Sequence, residues 1–274
     1  MIQEIIDTRL YLMRRLIFIT LFSLGFTFAS AQTWEAGGFL GSSGYMGDIS
    51  SIKPLKFTDL AFGAQIKRNF DGYWSAKLSF MQGKVQGNDA ESSNLYQQDR
   101  NLNFYSPISE LSLQVEFNLF NYLAGDIYSY GTRRLSPYLF TGVAAFSFNP
   151  LTEYNGNEIE LIAVQTEAVA YKNNAISIPY GAGVKYNIKG NLNLIGEIGY
   201  RTAFTDYLDD ISGRYPDFTV ISPKSSITQQ LSDRSVAKIG IPGNQRGDFR
   251  PRDTYMFAGI SLTYTFVPIK CPTF

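Results

Sequence analysis

The amino-acid sequence predicts an all-β fold, an eight-stranded antiparallel transmembrane β-barrel of the outer-membrane type with long extracellular loops. Three observations predict it: an export signal at the N-terminus, apolar residues at every second position of many segments, and long connections that alternate with short ones. After the export signal no run of about 18 or more apolar residues occurs, so the sequence offers no spanning helix. Strands are therefore the elements that would cross a membrane.

The N-terminal segment has the three parts of a secretory signal peptide. Met13-Arg14-Arg15 is basic, residues 16–28 are apolar, and Ala29-Ser30-Ala31 has the small-residue pattern of a cleavage site. We therefore expect residues 1–31 to be removed on export. Residues 1–12 precede a well-formed start and are expected to be a mis-called start or an extension without a fold of its own.

Residues 32–274 are expected to form a single β-barrel domain. This length lies within the range of one-domain barrels, and no shift in composition marks a second domain. Gln32, not a cysteine, would follow the cleavage site, which argues against a lipoprotein acylated at its N-terminus. Residues 267–274 follow the last predicted strand and are expected to form a short periplasmic tail.

The first three predicted strands are Trp34–Leu40, Leu60–Lys67 and Trp74–Met81. In the second strand an apolar residue stands at every even position from 60 to 66, and in the third at every even position from 74 to 80. Asn69-Phe70-Asp71-Gly72 separates these two strands, and its Asp-Gly pair favours a tight hairpin with positive φ angles. The first strand alternates less regularly.

Glu110–Leu119 and Tyr138–Phe148 are the fourth and fifth predicted strands. From 111 to 119 every odd position is Leu, Val or Phe, so Glu110 and Glu116 share the opposite, polar face. Tyr138–Phe148 is less regular than its neighbours. The fourth strand thus places two acidic side chains on the face that would point away from lipid.

The last three predicted strands are Ile176–Ile188, Leu192–Thr202 and Tyr255–Phe266, which bring the total to eight. Every even position from 176 to 188 is Ile, Tyr, Ala or Val. The turn Lys189-Gly190-Asn191 joins the first two of these strands, and Ile195 is the one apolar residue on the polar face of the second. The pattern is again that of strands with one apolar face.

The connections between the strands alternate in length, as they do in outer-membrane barrels. Long loops are predicted at 41–59, 82–107, 149–174 and 204–252, short turns at 69–72 and 189–191, and a medium connection at 120–136. Because the long loops of such barrels face the outside of the cell, both termini are expected in the periplasm.

A soluble β-sandwich would show the same alternation, with its polar faces in water. Two observations favour the barrel. The export signal places the chain where barrels are built, and aromatic residues stand at strand ends, where they suit the membrane interfaces. These residues are Trp34, Tyr73, Trp74, Tyr105, Tyr138, Tyr186, Tyr200, Tyr255 and Phe266.

The polar faces of the strands carry seven charged residues that a barrel would enclose. An eight-stranded barrel is only wide enough to be filled by its own side chains. Because an unpaired charge in that interior would cost several kcal/mol, we expect acids to pair with bases, although the sequence does not specify which. The acids are Glu110, Glu116 and Glu197, and the bases are Lys67, Lys77, Lys185 and Arg201.

The composition argues against most catalytic chemistry. The chain contains no histidine, which removes Ser-His-Asp and Cys-His catalysis and His-ligated zinc. Lysine and arginine total 24, as do aspartate and glutamate, so no basic excess points to nucleic acid. We expect a protein that is not an enzyme and that uses no cofactor and no small-molecule substrate.

Asp206, Asp209 and Asp210 form an acidic cluster in the last predicted loop. A calcium site would need ligands at a defined spacing, which this cluster lacks. We therefore interpret the cluster as a solvated or helix-capping stretch rather than a metal site.

Four groups of residues carry a family resemblance: 45–49, 137–143 with 148–150, 201–213 and 244–248. The most specific part is a loop motif made of Asp206, Tyr207, Asp209, Asp210 and Gly213. Together these groups, which span nearly the whole mature chain, resemble the PorG-like (DUF6089-type) family of Bacteroidota outer-membrane barrels. The resemblance implies a component of the type IX secretion system, which in some relatives also drives gliding. It also implies two partners, a periplasmic ring lipoprotein of the PorK type and a subunit of the PorN type.

Cys271 is the only cysteine of the chain, so it cannot form an internal disulfide bond. It lies just past the last predicted strand, on the side where the resemblance places the ring subunits. Two interpretations stay open: an intermolecular disulfide bond with a ring subunit, and a free thiol in the tail.

Two functional hypotheses follow. In the first, the barrel is a non-enzymatic anchor in the outer-membrane lipid, and its periplasmic face, residues 120–136 and 267–274, contacts the ring subunits. In the second, it is a cell-surface binding or structural barrel whose extracellular loops recognise an external ligand. A lipid-modifying barrel enzyme is a third class, against which the missing catalytic residue types argue.

Overall fold

The computed structural model describes residues 33–49, 57–123, 125, 132–219 and 226–267. The signal peptide expected at 1–31 lies outside these residues. The described ranges contain ten strands: β1 (Thr33–Met46), β2 (Phe57–Asn69), β3 (Trp74–Asn88), β4 (Asn103–Asn118), β5 (Leu135–Phe148), β6 (Leu151–Tyr154), β7 (Asn157–Glu160), β8 (Asn174–Lys189), β9 (Leu192–Ala203) and β10 (Thr254–Phe266). They also contain helices α1 (Leu95–Arg100), α2 (Leu161–Val164) and α3 (Ser226–Ser232), and a 3₁₀ turn at Asp89–Glu91.

Eight of these strands form a closed antiparallel barrel. Around the ring the order is β1-β2-β3-β4-β5-β8-β9-β10, and β10 pairs with β1 to close it. Trp34 pairs with Phe266 and Met46 with Thr254, so the closure runs along nearly the full length of β1. β6 and β7 form a small hairpin in the β5–β8 connection. The predicted eight-stranded barrel is confirmed.

The two-residue period of the sequence separates the inside of the barrel from the outside. On β4, Leu111, Leu113 and Val115 are exposed, whereas Ser112 and Gln114 are buried. The same division on the other strands gives the outer surface a continuous apolar belt. Contact between such a belt and water would cost about 25 cal/mol per Å² of apolar surface, whereas lipid removes this cost.

The short connections lie at one end of the barrel, together with Thr33 and Phe266, and we call this the turn end. The four long connections lie at the opposite end, the loop end. The turn that joins β8 to β9 contains Gly190, with φ 54°, as its left-handed residue. The predicted alternation of long and short connections is thus confirmed.

Two long loops are shorter than predicted because the strands beside them are longer. β1 runs to Met46 and β3 to Asn88, into the regions 41–59 and 82–107 that were expected to be loops. β4 begins at Asn103, which shortens the second loop from its other side.

Packing between glycines and aromatic rings keeps glycine-containing segments regular, both in the extension of β1 and in strands that the sequence predicts. A Cβ atom at Gly41 would lie 2.8 Å from the Phe39 ring. In the same way, Cβ atoms at Gly181 and Gly199 would lie 2.7 and 2.6 Å from the Phe140 ring. Phe39 covers a glycine of its own strand, and Phe140 covers glycines of β8 and β9, so glycine-containing segments that resemble loops remain regular strands.

The hairpin between β2 and β3 differs from its predicted form. Neither Asp71 nor Gly72 has a positive φ angle. Instead, the Asp71 carboxylate accepts hydrogen bonds of 2.7 Å from the backbone N–H groups of Tyr73 and Trp74. A Cβ atom at Gly72 would collide with Asn121 Oδ1, so glycine allows the Asn121 side chain of the β4–β5 connection to approach closely.

The four long connections fold over the loop end of the barrel, and we call this unit the loop cap. Leu208, Ile211 and Leu231 from the last connection belong to the same apolar cluster as Tyr45 and Phe257 of the barrel strands. The three helices all lie in these connections. No helix in the described ranges is both long and apolar enough to cross a membrane.

Candidate functional site in the lumen and the loop cap

All seven charged residues predicted to face inward lie in the lumen. They are Lys67 on β2, Lys77 on β3, Glu110 and Glu116 on β4, Lys185 on β8, and Glu197 and Arg201 on β9. Glu35 of β1, which the sequence did not single out, joins them. The structure thus brings together charges from six of the eight barrel strands.

Glu116 is the centre of the larger charge cluster, and its side chain is 0 % exposed. Its carboxylate oxygens lie 2.6 Å from Lys185 Nζ, 3.1 Å from Lys67 Nζ and 3.3 Å from Lys77 Nζ. The Ser75 hydroxyl donates a further hydrogen bond of 3.0 Å. One carboxylate therefore contacts three ammonium groups that come from three different strands.

Strand register explains the position of this glutamate. Lys67 and Lys77 are direct cross-strand partners on β2 and β3, and like charges in such a pair repel each other. On the other side of β3, Glu116 pairs with Ser75. Its carboxylate can therefore lie between the two lysines and neutralise their repulsion.

Two further glutamates complete this cluster. Glu197 lies 2.6 Å from Lys77 Nζ and accepts a hydrogen bond of 2.6 Å from the Tyr138 hydroxyl. Glu35 lies 3.8 Å from Lys67 Nζ. Each lysine of the cluster thus has at least one carboxylate within ion-pair distance.

A separate ion pair lies nearer the loop end. Arg201 Nε is 3.1 Å from Glu110 Oε2, and the Tyr255 hydroxyl donates a hydrogen bond of 2.9 Å to the same oxygen. The Arg201 guanidinium also lies over the Phe257 ring, 4.7 Å from its centroid. In the described lumen four acids face four bases, so the charged layer of the barrel interior is balanced and is not a channel of one charge sign.

Aromatic and aliphatic side chains fill the lumen between this plug and the loop cap. The rings of Tyr45 and Phe104 lie 4.9 Å apart, and so do those of Phe146 and Tyr255. All four belong to the apolar cluster that continues into the cap through Leu208. The interior is therefore packed from the charge cluster to the loops.

Arg100 of α1 ties three connections of the loop cap together. Its guanidinium donates hydrogen bonds of 2.7 and 2.8 Å to the two carboxylate oxygens of Asp89. It also donates to the backbone oxygen of Asp48, at 2.8 Å, and to that of Arg246. The N–H groups of the planar guanidinium point in several directions, so they can donate to a carboxylate and to two carbonyl oxygens at the same time.

Arg246 links the β5–β8 connection to the β9–β10 connection. Its Nη1 lies 2.9 Å from Glu167 Oε1 and donates to the backbone oxygen of Asp210 at 3.1 Å. Its Nε donates to the backbone oxygen of Ser232 at 3.2 Å. Glu167 in turn accepts a hydrogen bond of 3.2 Å from the backbone N–H of Gly213.

Two of the three acids in the loop motif are buried, so the expectation of a solvated or helix-capping stretch is wrong for Asp209 and Asp210, whereas Asp206 is partly exposed. Asp209 and Asp210 are 1 % and 2 % exposed, and no described helix begins beside them. Asp209 accepts hydrogen bonds from the Tyr45 hydroxyl and, at 3.0 Å, from the backbone N–H of Ile211. Asp210 accepts one from the Tyr171 hydroxyl. These hydroxyl partners come from a distant strand and loop, which the spacing of the acids does not reveal.

The remaining motif residues join the last connection to the β5–β8 connection. Tyr207 stacks on Tyr171, with ring centroids 4.5 Å apart and an interplanar angle of 9°. Asp206 accepts a hydrogen bond of 2.8 Å from the Ser212 hydroxyl. The motif therefore holds two connections together.

Burial makes several carboxyl groups of the cap hold a proton more tightly than usual. It raises the pKa of both Asp209 and Asp210 to about 7 and the pKa of Asp206 to about 6. Burial, followed by the charge of Asp209, raises the pKa of Asp48 to about 9. The same two causes raise the pKa of Asp253 well above its usual range.

These carboxyl groups serve the backbone of the loops. Asp48 Oδ1 accepts a hydrogen bond of 2.6 Å from the Asp248 N–H, and Asp253 Oδ2 accepts one of 3.0 Å from the Leu208 N–H. No group of His, Cys, Asp and Glu in the described part of the chain is arranged to hold a metal ion.

Sequence reasoning missed three residues that organise the interior. Glu35 lies on β1, where Gly37-Gly38 interrupts the alternation. Arg246 lies within 244–248, one of the groups that carry the family resemblance, so the sequence did mark its region as important. Arg100 lies in a loop outside those groups, and no pattern marks it.

The predicted partner face lies only partly within the described residues. Of the connection 120–136, residues 124 and 126–131 lie outside them. Val267 is the only described residue of the tail 267–274. Cys271, the expected site of an intermolecular disulfide bond, also lies outside the described residues.

Comparison with known proteins gives one family and a set of distant structural matches. A family model described as "Domain of unknown function (DUF6089)" matches residues 14–273. A search of curated proteins finds no match.

Several solved outer-membrane proteins are distantly similar. The outer membrane protein OprG from Pseudomonas aeruginosa is 10% identical, with a TM-score of 0.41, and the match covers 86% of this chain and 96% of that chain. Neisserial surface protein A (NspA) is 9% identical, with a TM-score of 0.38 and coverage of 86% and 98%. A major outer membrane protein from Thermus thermophilus is 12% identical, with a TM-score of 0.39 and coverage of 86% and 100%. The fold assignment rests on the strand pairing of this chain and not on these matches.

Proposed function

The chain belongs to the DUF6089 family, and from this premise we propose that it is a non-enzymatic outer-membrane anchor of the type IX protein secretion machinery. In this proposal it lies in the bacterial outer membrane with both termini in the periplasm. There it tethers periplasmic ring subunits of the PorK and PorN types. In cells that glide, the same anchor would also serve gliding motility.

The observation that carries the proposal is the packed interior. Glu116 and its three lysines fill the turn half, and the apolar cluster and the loop cap fill the loop half. Such a barrel offers no path to a solute, whereas a rigid body fixed in lipid is what an anchor requires. The outward apolar belt supports the placement in a membrane.

The family resemblance supports the assignment to type IX secretion. Three of the groups that carry it, 45–49, 201–213 and 244–248, meet in the loop cap. Tyr45 donates a hydrogen bond to Asp209, and the Asp248 N–H donates one to Asp48. The resemblance therefore covers a contiguous structural unit and not isolated short segments.

Gene deletion and affinity capture test the anchor. Deletion should abolish secretion of type IX cargo, and the wild-type gene should restore it. Capture of the mature protein from solubilised outer membranes should recover a ring lipoprotein and its partner. Arg250→Gln, which alters only an exposed ion pair at the loop end, should behave as wild type in both assays. Unchanged secretion after deletion, or capture without any ring subunit, would overturn the proposal.

Cys271 gives a separate test of how the anchor holds its partner. On non-reducing electrophoresis of outer membranes, a covalent tether predicts an adduct that reductant removes. The adduct should be absent from Cys271→Ser. If wild type shows no adduct, the contact with the ring is non-covalent and the tail thiol is free.

A second candidate function is recognition of an external ligand by the loop cap. The observation that favours it is a set of exposed apolar side chains there, with Val236 97 %, Leu95 75 % and Ile241 60 % exposed. Replacing these three residues by serine should abolish ligand binding under this hypothesis. Under the anchor hypothesis the same variant should secrete type IX cargo normally.

A further inference from the structure

The turn end of the barrel carries exposed charges of mainly one sign. Arg133, Arg134 and Lys189 are exposed there, and Arg68 is partly buried. Among the residues described at this end, Asp71 is the only acidic side chain outside the lumen. Its carboxylate already accepts two backbone hydrogen bonds within its own turn. The described surface at this end is therefore basic.

The loop end differs, because it exposes charges of both signs: Asp99 and Glu153 are exposed there as well as Arg214 and Arg252. Two of its cations also form ion pairs. Arg250 Nε lies 3.2 Å from Asp248 Oδ2, and Lys84 Nζ lies 3.0 Å from Asp59 Oδ1. At the turn end, no described acidic residue forms an ion pair with the three exposed cations there. Among the described residues, an exposed surface whose charges are mainly positive is thus a feature of the turn end and not of the loop end.

Aromatic rings hold two of these arginines at the edge of the apolar belt. The guanidinium of Arg68 lies 4.9 Å from the centroid of the Trp34 ring, and that of Arg133 lies 4.8 Å from the centroid of the Phe120 ring. Both rings are themselves exposed on the outer surface. Because interfacial aromatic residues lie at the level of lipid headgroups, the stacked guanidinium groups lie at the depth of the lipid phosphates.

Arg134 and Lys189 lie near Arg133, where the neighbouring strands β5 and β8 reach the turn end. The backbone oxygen of Arg134 accepts a hydrogen bond of 2.8 Å from the Asn187 N–H, which joins the start of β5 to the end of β8. Lys189 lies two residues further along β8, at the turn. Arg133, Arg134 and Lys189 therefore form a group on one side of the turn end.

We propose that the turn-end rim, made of Arg68, Arg133, Arg134 and Lys189, binds the phosphate groups of anionic phospholipids. The planar fork of arginine matches two phosphate oxygens, and lysine adds a point charge. Anionic lipid fits better than an acidic protein surface because two of the cations stack on belt residues, beside the acyl chains. This inference does not depend on the proposed function.

The two tryptophans of the chain allow the contact between lipids and this rim to be measured directly. Trp34 and Trp74 both lie at the turn end, so their fluorescence reports the lipids that contact this end. The mature protein is placed in phosphatidylcholine vesicles that contain brominated phosphatidylglycerol or, at the same mole fraction, brominated phosphatidylcholine. We expect stronger quenching by the brominated phosphatidylglycerol, because the rim concentrates it.

Substitution of the rim should remove this excess quenching. The test variant replaces all four rim residues by glutamine. The matched control replaces three exposed arginines and one exposed lysine of the loop end, which are Arg214, Arg250, Arg252 and Lys172. The control should keep the excess seen in wild type.

High salt gives a second test that needs no substitution. It screens the attraction between cations and phosphate, so it should reduce the excess quenching in the wild-type protein. Equal quenching by the two brominated lipids, or an excess that survives both high salt and the fourfold substitution, would overturn the proposal. Binding of polyglutamate to the rim without any lipid preference would assign the rim to an acidic protein and would overturn it as well.

Discussion

The turn half of the lumen and the loop cap differ in how they bury many of their carboxyl groups. In the turn half, Glu116 and its neighbours pair acid with base across the strands. In the cap, Asp48, Asp209 and Asp253 accept hydrogen bonds from backbone N–H groups and from the Tyr45 hydroxyl. Burial there raises carboxyl pKa values, because no described lysine or arginine forms an ion pair with these three groups. Ion pairs thus hold the first region together, whereas in the second region hydrogen bonds and bound protons act beside the ion pairs of Arg100 and Arg246.

Substitution of Glu116 should cause the largest loss of stability, and this loss falls on the turn half of the lumen. Glu116→Gln leaves the ammonium groups of Lys67, Lys77 and Lys185 without their shared carboxylate. Loss of one partner from a buried ion pair costs about 3–5 kcal/mol, and three cations depend on this one. We expect a large fall in the urea midpoint of the barrel in lipid vesicles, followed by tryptophan fluorescence.

Glu153→Gln is the matched control, since Glu153 is an exposed residue of β6. It should leave the urea midpoint unchanged. An equal midpoint for Glu116→Gln and wild type would show that the charge cluster does not stabilise the turn half.

Loss of Arg246 should open the loop cap without unfolding the barrel. Arg246→Gln removes the ion pair with Glu167 and bonds to the backbone oxygens of Asp210 and Ser232. Hydrogen bonds to charged groups contribute about 1.5–3 kcal/mol each, so the two connections should separate more often. Chymotrypsin should then cut the cap faster, while the barrel keeps its urea midpoint.

Arg250→Gln tests whether this effect is specific, because Arg250 makes an exposed ion pair with Asp248 in the same connection. It should be cut at the wild-type rate. If both variants are cut equally fast, the buried tie does not hold the cap.

The packing of Phe140 over glycines should have a smaller effect. In Gly181→Ala the new methyl group would collide with the Ile198 backbone oxygen and lie 2.7 Å from the Phe140 ring. Overpacking of this kind costs about 1–3 kcal/mol. At Gly196, on the adjacent strand, no atom lies within 4 Å of the new position, so Gly196→Ala should be close to neutral. Equal urea midpoints for Gly181→Ala and Gly196→Ala would show that the packing of Phe140 against Gly181 does not stabilise the barrel.

Rising pH should weaken the cap gradually. Asp209 and Asp210 have folded-state pKa values of about 7 and Asp48 one of about 9, all above the usual 3.8. Between 3.8 and these values the folded cap binds more protons than the unfolded chain, so stability falls as pH rises through that window. Each group contributes at most about 1.4 kcal/mol per pH unit.

A spin label on the cap can follow this change. The label is attached at Ala237→Cys, an exposed position, in the Cys271→Ser background. Its mobility should increase from about pH 5 to about pH 9, and Asp48→Asn should flatten the upper part of the curve. Constant mobility, or greater mobility at low pH, would contradict the claim that bound protons stabilise the loop cap.

The barrel could be predicted from the sequence because lipid contact imposes a local rule. Residues such as Leu60 and Phe62 reveal the outer face by their spacing alone, and the same spacing identified Glu116 as a lumen residue. The loop cap has no such rule. The burial of Asp209 depends on Tyr45, which is far away in the sequence, and the role of Arg100 depends on carbonyl groups of two other loops. Long-range partners of this kind leave no periodic signal in a single sequence.

The central claim is that the barrel interior is packed from the turn end to the loop cap. Conductance of the purified mature protein in planar lipid bilayers tests this claim most directly. The account predicts no channel events for wild type over the full range of applied voltage. Reproducible single-channel conductance of the wild-type protein would contradict it.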